Sequence, residues 1–211
     1  HKSRLFHPDH TQVIYNGLDL SYRRASGQQD PNKRNNGELR VGVISSDLKT
    51  GSIRQLLETI RREQEHAFDI RFLVHGNGRT VQELKQRFRA SSSLEKMVEW
   101  EAGSVNLTEF MNHIDVFLTG SVRKEFNYPL VYAMVQQKPV IGFNEGSNPE
   151  IIHHNQNGYL LKKGDLQGVV EKLNALKSRE LRSRLGREAR RIIEKKFDVE
   201  QSIDQMEALI R

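Results

Sequence analysis

The sequence predicts an α/β protein: a doubly wound parallel sheet with helices on both faces and a helical carboxyl-terminal tail. Three observations predict it. From Leu39 onward, short runs rich in Val, Ile, Leu and Phe alternate with amphipathic stretches of helical period, the pattern of a buried parallel sheet with helical crossovers. After Gly164 the chain reads as helix almost to its end. At 211 residues and 36% hydrophobic content, the chain is long enough to bury one real core.

Taken in order, residues 1 to 20 read as an incoming segment with a short strand at Gln12 to Tyr15 and a turn at Asn16-Gly17. SYRRASGQQDPNKRNNG, ending at Gly37, is polar and rich in breakers, the composition of an exposed linker or loop. The alternation then runs LRVGVIS, SIRQLLETIRREQEH, DIRFLVHG, TVQELKQRFRA, KMVEW, NLTEFMNHI, DVFLTGS, YPLVYAMVQQ, PVIGF and GYLLKK. Ser52, Thr80, Asn106 and Asp165 mark helix starts, being residue types whose side chains accept a first-turn amide. The expected organisation is a segment and linker over residues 1–37, a Rossmann-like domain over 38–195 and a last helix over 196–211. There is no internal repeat.

The charge balance, 33 Lys and Arg against 27 Asp and Glu, is +6 and favours anionic ligands without choosing among them. With no cysteine, disulfides, thiolate metal sites and thiol nucleophiles are all excluded. No apolar run approaches the roughly 20 residues of a membrane-spanning helix, and HKSRLFHPDH lacks the apolar stretch of a signal peptide. A cytoplasmic location is the expectation.

In an open parallel sheet, ligands sit beyond the carboxyl ends of the strands, where backbone amides and helix N-termini favour phosphate. Four loops fall there: Ile44 to Gly51, His75 to Gly78, Gly120 to Asn127, and Gly142 to Glu150. The first offers Ser45, Ser46 and Lys49; the second, glycines that permit close backbone approach; the third, Arg123 and Lys124 before a helix; the fourth, Gly146 and Ser147. Each also reads as an ordinary connector or a solvated loop. As a set on one sheet edge they favour a nucleotide-like ligand. GxGxxG, GxxxxGK[ST], HExxH and GxSxG are all absent, so a standard NAD site, a P-loop, a zincin and a nucleophile-elbow hydrolase are disfavoured.

Five segments, in order, resemble the carboxyl-terminal, donor-binding domain of GT-B fold glycosyltransferases of the group 1, retaining type, the group that includes sucrose synthases, glycogen synthases and many bacterial polysaccharide enzymes. VIYNGLDL (13–20) is similar to that family's hinge segment, RFLVHGNG (71–78) to a glycine-rich strand and turn, and FMNHIDVFLTGS (110–121) to a later strand. LVYAMVQQKPVIGFNEGSNPEII (130–152) and QNGYLLKKGD (156–165) complete the series.

The resemblance implies a nucleotide-sugar donor, UDP- or GDP-linked, bound as substrate, with no metal and no further cofactor. It puts SVRKEFNYPLVYAM where the family carries an E-x7-E motif, so that its two glutamates fall at Lys124 and Tyr132, with Glu125 one place late. In the family the first glutamate contacts the sugar and the second usually holds the ribose. The family's diphosphate-neutralising arginine and lysine fall at Ile44 and Lys49. By this alignment Lys49, Lys124 and Glu125 are the candidate catalytic residues. Gly42, Ser45, Ser46, Gly76, Asn77, Arg123, Phe126, Asn127 and Tyr132 are the candidate donor-binding residues.

The implied partners are the nucleotide-sugar and an N-terminal acceptor-binding domain not contained in these residues; residues 196–211 would pack back toward the hinge. The basic run Arg179 to Lys196 offers a peripheral membrane contact or a solvated helix face. Loss of both glutamates leaves open a second class, a non-catalytic accessory or scaffold protein on the same fold. No helix-turn-helix, zinc module or aromatic-interleaved basic strand supports nucleic-acid binding.

Overall fold

The computed structural model of the chain describes residues 37–45, 50–63, 70–89, 92–104, 106–120 and 126–210. The strand and turn expected within residues 12–17 lie outside them. Fifteen elements follow: β1 (Leu39–Ile44), α1 (Thr50–Glu63), β2 (Ile70–Gly76), α2 (Gly78–Phe88), α3 (Ser92–Glu95), β3 (Val98–Ala102), α4 (Leu107–Asn112), β4 (Val116–Thr119), α5 (Tyr128–Val135), β5 (Val140–Phe143), α6 (Asn148–Ile151), β6 (Tyr159–Leu161), α7 (Leu166–Ala175), α8 (Arg179–Lys196) and α9 (Val199–Ile210).

Six strands form one sheet in the order β3-β2-β1-β4-β5-β6, and every pairing is parallel. The expected doubly wound α/β architecture is therefore observed. The strand order reverses its direction of growth between β1 and β4, which is the topological switch point of this fold class.

Side-chain alternation along the strands explains why both faces are covered. Val41, Val43, Phe72, Val74, Val116, Leu118, Ile141 and Phe143 point to one face and pack with Ile53, Leu57 and Ile60 of α1 and Val169, Val170 and Leu173 of α7. Leu73, Phe117 and Val140 point to the other and pack with α4, α5 and α6 through Phe110, Met111, Leu130, Met134 and Ile151. Period two in a strand and apolar sides on both sets of helices give two core layers.

Gly42 belongs to the second layer. A Cβ there would lie 2.5 Å from Ile114 Cδ1 and 3.0 Å from Phe110 Cζ, so its missing side chain lets α4 settle against the middle of β1.

Two expected caps hold: Asn106 accepts from Glu109 N at 3.2 Å, and Asp165 from Gly168 N at 2.8 Å. The other two shift. Helix α2 is capped by Asn77, which accepts from Thr80 N at 2.9 Å, because an asparagine oxygen three residues upstream meets that amide without strain. Helix α1 starts at Thr50, which puts Ser52 inside its first turn.

Beyond β6, α8 packs on α5 at close range. Gly186 faces the turn that ends α5, where Gln137 takes a positive φ of 57°. A Cβ on Gly186 would lie 2.0 Å from the Gln137 carbonyl oxygen. Helix propensity alone predicts that Gly186→Ala stabilises α8 by about 1 kcal/mol. The contact predicts the opposite sign, a loss of about 1–3 kcal/mol from overpacking against backbone, read from the denaturant midpoint of the purified chain.

Candidate functional site

Buried polar groups lie on both faces of the sheet at its carboxyl edge. On the face covered by α4, α5 and α6, the last strand positions are Ile44 in β1, His75 in β2 and Thr119 in β4, all buried, while Ser45, immediately after β1, falls on the opposite face beside Gly76. Polar groups buried there must find partners, and the partners they find define the edge.

Thr119, fully buried, accepts from Asn127 Nδ2 at 3.1 Å. The same amide nitrogen donates to Asn148 Oδ1 at 3.3 Å, and Asn148 Nδ2 donates to the Phe143 carbonyl at 3.0 Å. Asn127 Oδ1 accepts the Leu130 amide at 3.2 Å and so caps α5. One small network thus joins the ends of β4 and β5 to the starts of α5 and α6. Gly142 makes room for it: a Cβ there would lie 3.1 Å from Thr119 Cγ2 and 3.4 Å from Asn148 Nδ2.

This cap changes the expected electrostatics of the third loop. Phosphate at a helix N-terminus is held by first-turn amides, but in α5 they are already committed. Tyr128 N donates to the Phe126 carbonyl at 3.1 Å, Leu130 N to Asn127, Val131 N to the Asn127 carbonyl at 3.1 Å, and Pro129 has no N–H. The dipole of α5 remains, while its first-turn amides donate within the protein.

At the other side of the switch point, Ser45 N donates to the His75 carbonyl at 2.8 Å, continuing the β1–β2 ladder one residue past the strand. A Cβ on Gly76 would lie 1.9 Å from Ser45 Oγ, so glycine is what allows the serine side chain to sit across the end of β2. His75 is held from both ring nitrogens, Nδ1 at 3.5 Å from Glu101 Oε2 and Nε2 at 3.3 Å from the Gly103 carbonyl. Gly103 N donates back to the Gly76 carbonyl at 3.1 Å, latching the turn after β3 to the end of β2.

Of the candidate residues, the structure gathers Ser45 and Gly76 at one side of the switch point and Phe126 and Asn127 at the other. Gly42 lies inside β1, Asn77 caps α2, and Tyr132 sits half-buried on α5 with its hydroxyl 2.6 Å from Thr108 Oγ1 of α4. The Phe126 ring packs edge-on against Tyr128 and Phe197, with centroids 4.8 Å and 5.3 Å away. Ser46, Lys49, Arg123, Lys124 and Glu125 lie outside the described residues; their loops leave from Ser45 and Gly120, the two chain ends that flank the switch point. Sequence reasoning missed Thr119 and Asn148. Both carried a signal, a hydroxyl at the last position of an apolar strand and an asparagine opening a helix before proline, but each reads equally well as a connector.

A sheet of this order is the Rossmann-like doubly wound fold, in which ligands sit beyond the carboxyl ends of the strands at the switch point. The profile of the family described as glycosyl transferases group 1 matches residues 39–179, and the chain belongs to that family. The N-acetyl-alpha-D-glucosaminyl L-malate synthase of Bacillus anthracis is 33% identical over 105 residues, 49% of this chain and 28% of that protein. Anabaena HepE, solved in complex with UDP-glucose, superposes with a TM-score of 0.76 at 22% identity, over 94% of this chain and 57% of HepE. The carboxyl-terminal domain of the group 1 protein LpcC from Francisella tularensis superposes with a TM-score of 0.60 at 18% identity, over 88% of this chain and 97% of that domain. The chain therefore spans between about a quarter and somewhat over half of the two longer proteins.

Asn127→Ala is expected to lower the unfolding free energy by about 2–4 kcal/mol, combining a lost N-cap with buried partners left unsatisfied. Thermal or denaturant unfolding reads it; a loss below about 1 kcal/mol would mean that the network is not closed in solution.

Proposed function

We propose that this chain is the donor-binding half of a glycosyltransferase that moves a sugar from a UDP- or GDP-linked donor to a glycan or other acceptor, without a metal and in the cytoplasm. The observation that carries the reading is the polar carboxyl edge at the β1–β4 switch point, flanked by the two loops that hold most of the chain's candidate cations. Family membership and the UDP-glucose complex of the superposable HepE support the same ligand class.

In this reading the diphosphate lies across the switch point. Ser45 and the backbone of Gly76 line one side; the residues leading to Phe126 and Asn127 line the other. As the acceptor oxygen bonds to the anomeric carbon, the bond from that carbon to the diphosphate oxygen breaks, and its electron pair leaves with the nucleoside diphosphate. Lys49, Arg123 and Lys124 oppose the charge that develops there, the role of fixed cations in a site without metal. Glu125 stands nearest the place of the family's sugar-contacting glutamate, and Tyr132, anchored by Thr108, takes the ribose-side position. The proton of the attacking hydroxyl passes to the departing diphosphate oxygen, and the acceptor half, a second domain, closes over this one and excludes water. The resemblance to retaining enzymes extends to the stereochemistry, retention at the anomeric carbon.

Calorimetric titration of the chain with UDP, GDP and their sugar conjugates tests it. One nucleotide binds in the micromolar range, and Lys49→Ala weakens it by about tenfold or more, the effect of one charge-assisted phosphate contact. A folded chain silent across the whole panel would overturn the donor-site reading in favour of a non-catalytic accessory role.

A further inference from the structure

The net charge of the chain is not spread over its surface. Residues 177–196 hold nine of the 33 Lys and Arg and three of the 27 Asp and Glu, a balance of +6; the remainder carries 24 of each sign and is neutral. All of the excess lies on α8 and the residues that lead into it.

Several of these cations have structural partners among the described residues. Arg182 donates to the Leu176 and Lys177 carbonyls at 2.7 Å and 3.0 Å, closing the end of α7. Lys196 donates to the Glu150 carbonyl at 2.7 Å, and Arg190 pairs with Glu194 at 2.6 Å. Arg191 pairs with Glu188, and its hydrogen bond holds that carboxyl below the usual carboxylate range, so the pair stays ionised through mildly acidic pH. Among the described residues, Arg184, Arg187 and Lys195 have no carboxylate partner.

Those three, with Arg191, fall at spacings of three, four and four, which is one stripe of a helix. All four are exposed, and the residues on the opposite side, Leu185, Gly186, Ala189 and Ile193, are buried. The stripe is about 16 Å long at 1.5 Å per residue. A last-turn cation is favoured by the helix dipole, which accounts for Lys195; Arg184 and Arg187 lie too far from that end for the same account.

The apolar side of α8 is committed to the core, so nothing on this helix is available to insert into an apolar partner. The exposed stripe likewise lacks the apolar centre of a protein interface, and it lacks the aromatic and amide side chains that contact bases. A surface recognised by charge alone, extended and flat on the scale of the stripe, is what remains. We infer that the outer stripe of α8, Arg184, Arg187, Arg191 and Lys195, is a docking surface for an anionic lipid bilayer.

The placement gives the contact a consequence. Gly186 meets the Gln137 turn at the far end of α5, while Phe197, just past α8, meets Phe126 at its start. The stripe therefore runs along the molecule toward the carboxyl edge of the sheet, and docking brings the mouth of the candidate site beside the bilayer. The inference stands on the charge distribution and does not depend on the sugar-transfer reading.

The test is co-sedimentation of the full chain with vesicles of phosphatidylcholine alone and of an equimolar mixture with phosphatidylglycerol. Binding is expected only with the mixture, and it disappears at about 0.5 M NaCl, where the Debye length falls below about 5 Å. The triple variant Arg184→Gln, Arg187→Gln, Lys195→Gln loses partitioning by on the order of a hundredfold, while Lys85→Gln, Arg87→Gln, Lys162→Gln, which removes the same charge from other exposed positions, keeps most of it. Arg184→Lys, Arg187→Lys retains binding, since a bilayer reads charge and not guanidinium geometry. The inference is overturned if the folded chain ignores anionic vesicles or if both triple variants lose binding equally. It is overturned too if the stripe binds single-stranded polyuridylate while vesicles are ignored. Nucleotide titration of the same variants stays unchanged in every case where the donor site is intact.

Discussion

A single buried polar cluster fixes the functional edge of this sheet. Thr119, Asn127 and Asn148 sit where β4 and β5 end and α5 and α6 begin, in a region with no water-facing surface to satisfy them. A polar group in such a place costs free energy unless it is bonded, so each constrains the others. The chain must leave β4 at one height and enter α5 at another for the amides and the hydroxyl to meet. Residues 121–125 are therefore joined to two fixed points, Gly120 and Phe126, on the β4–α5 side of the switch point. Closure of that network commits the first-turn amides of α5 to partners within the protein.

The rest of the architecture serves that edge. Strand alternation builds two core layers, and glycines set the distances between them: Gly42 admits α4 to the middle of β1, Gly76 admits Ser45 to the end of β2, and Gly186 admits α8 to the turn after α5. The last of these brings a helix with one buried and one strongly basic side to the outside of the molecule. The same contact that stabilises α5 thereby presents a charged stripe whose carboxyl end adjoins the site. Stability and surface chemistry are coupled through one close approach.

Much of this was legible in the residues. LRVGVIS, DIRFLVHG and PVIGF read as buried parallel strands because β-branched runs between amphipathic stretches have few other solutions, and the order of five family-like segments carried the class of ligand. What stayed hidden has a physical cause. Asn77 and Asn127 looked like ligand contacts because asparagine near glycine or a helix suits both a ligand and a cap. The observed partners, Thr80 and Leu130, show that both side chains cap helices, a role that no local pattern separates from a ligand contact. Gly42, a candidate donor-binding residue, also clears space for Ile114 and Phe110, a long-range packing that no local pattern encodes. Thr119 and Asn148 escaped notice because hydrogen bonds across 21 residues leave no periodicity. Helical spacing in α8 was visible throughout; that residues 177–196 carry a balance equal to the whole excess of the chain emerges only from counting by segment.

The central claim is that a nucleoside diphosphate occupies the switch point between β1 and β4. Amide chemical-shift mapping of the isotopically labelled chain during titration with UDP, and with GDP in parallel, tests it most directly. The account predicts that one of the two moves a contiguous set of resonances centred on Ser45, Gly76, Gly120 and Phe126, with the ends of β5 and β6 and the outer side of α8 unmoved. Perturbations centred on β5, β6 or α8, or scattered over the surface without Ser45 and Phe126, would contradict it.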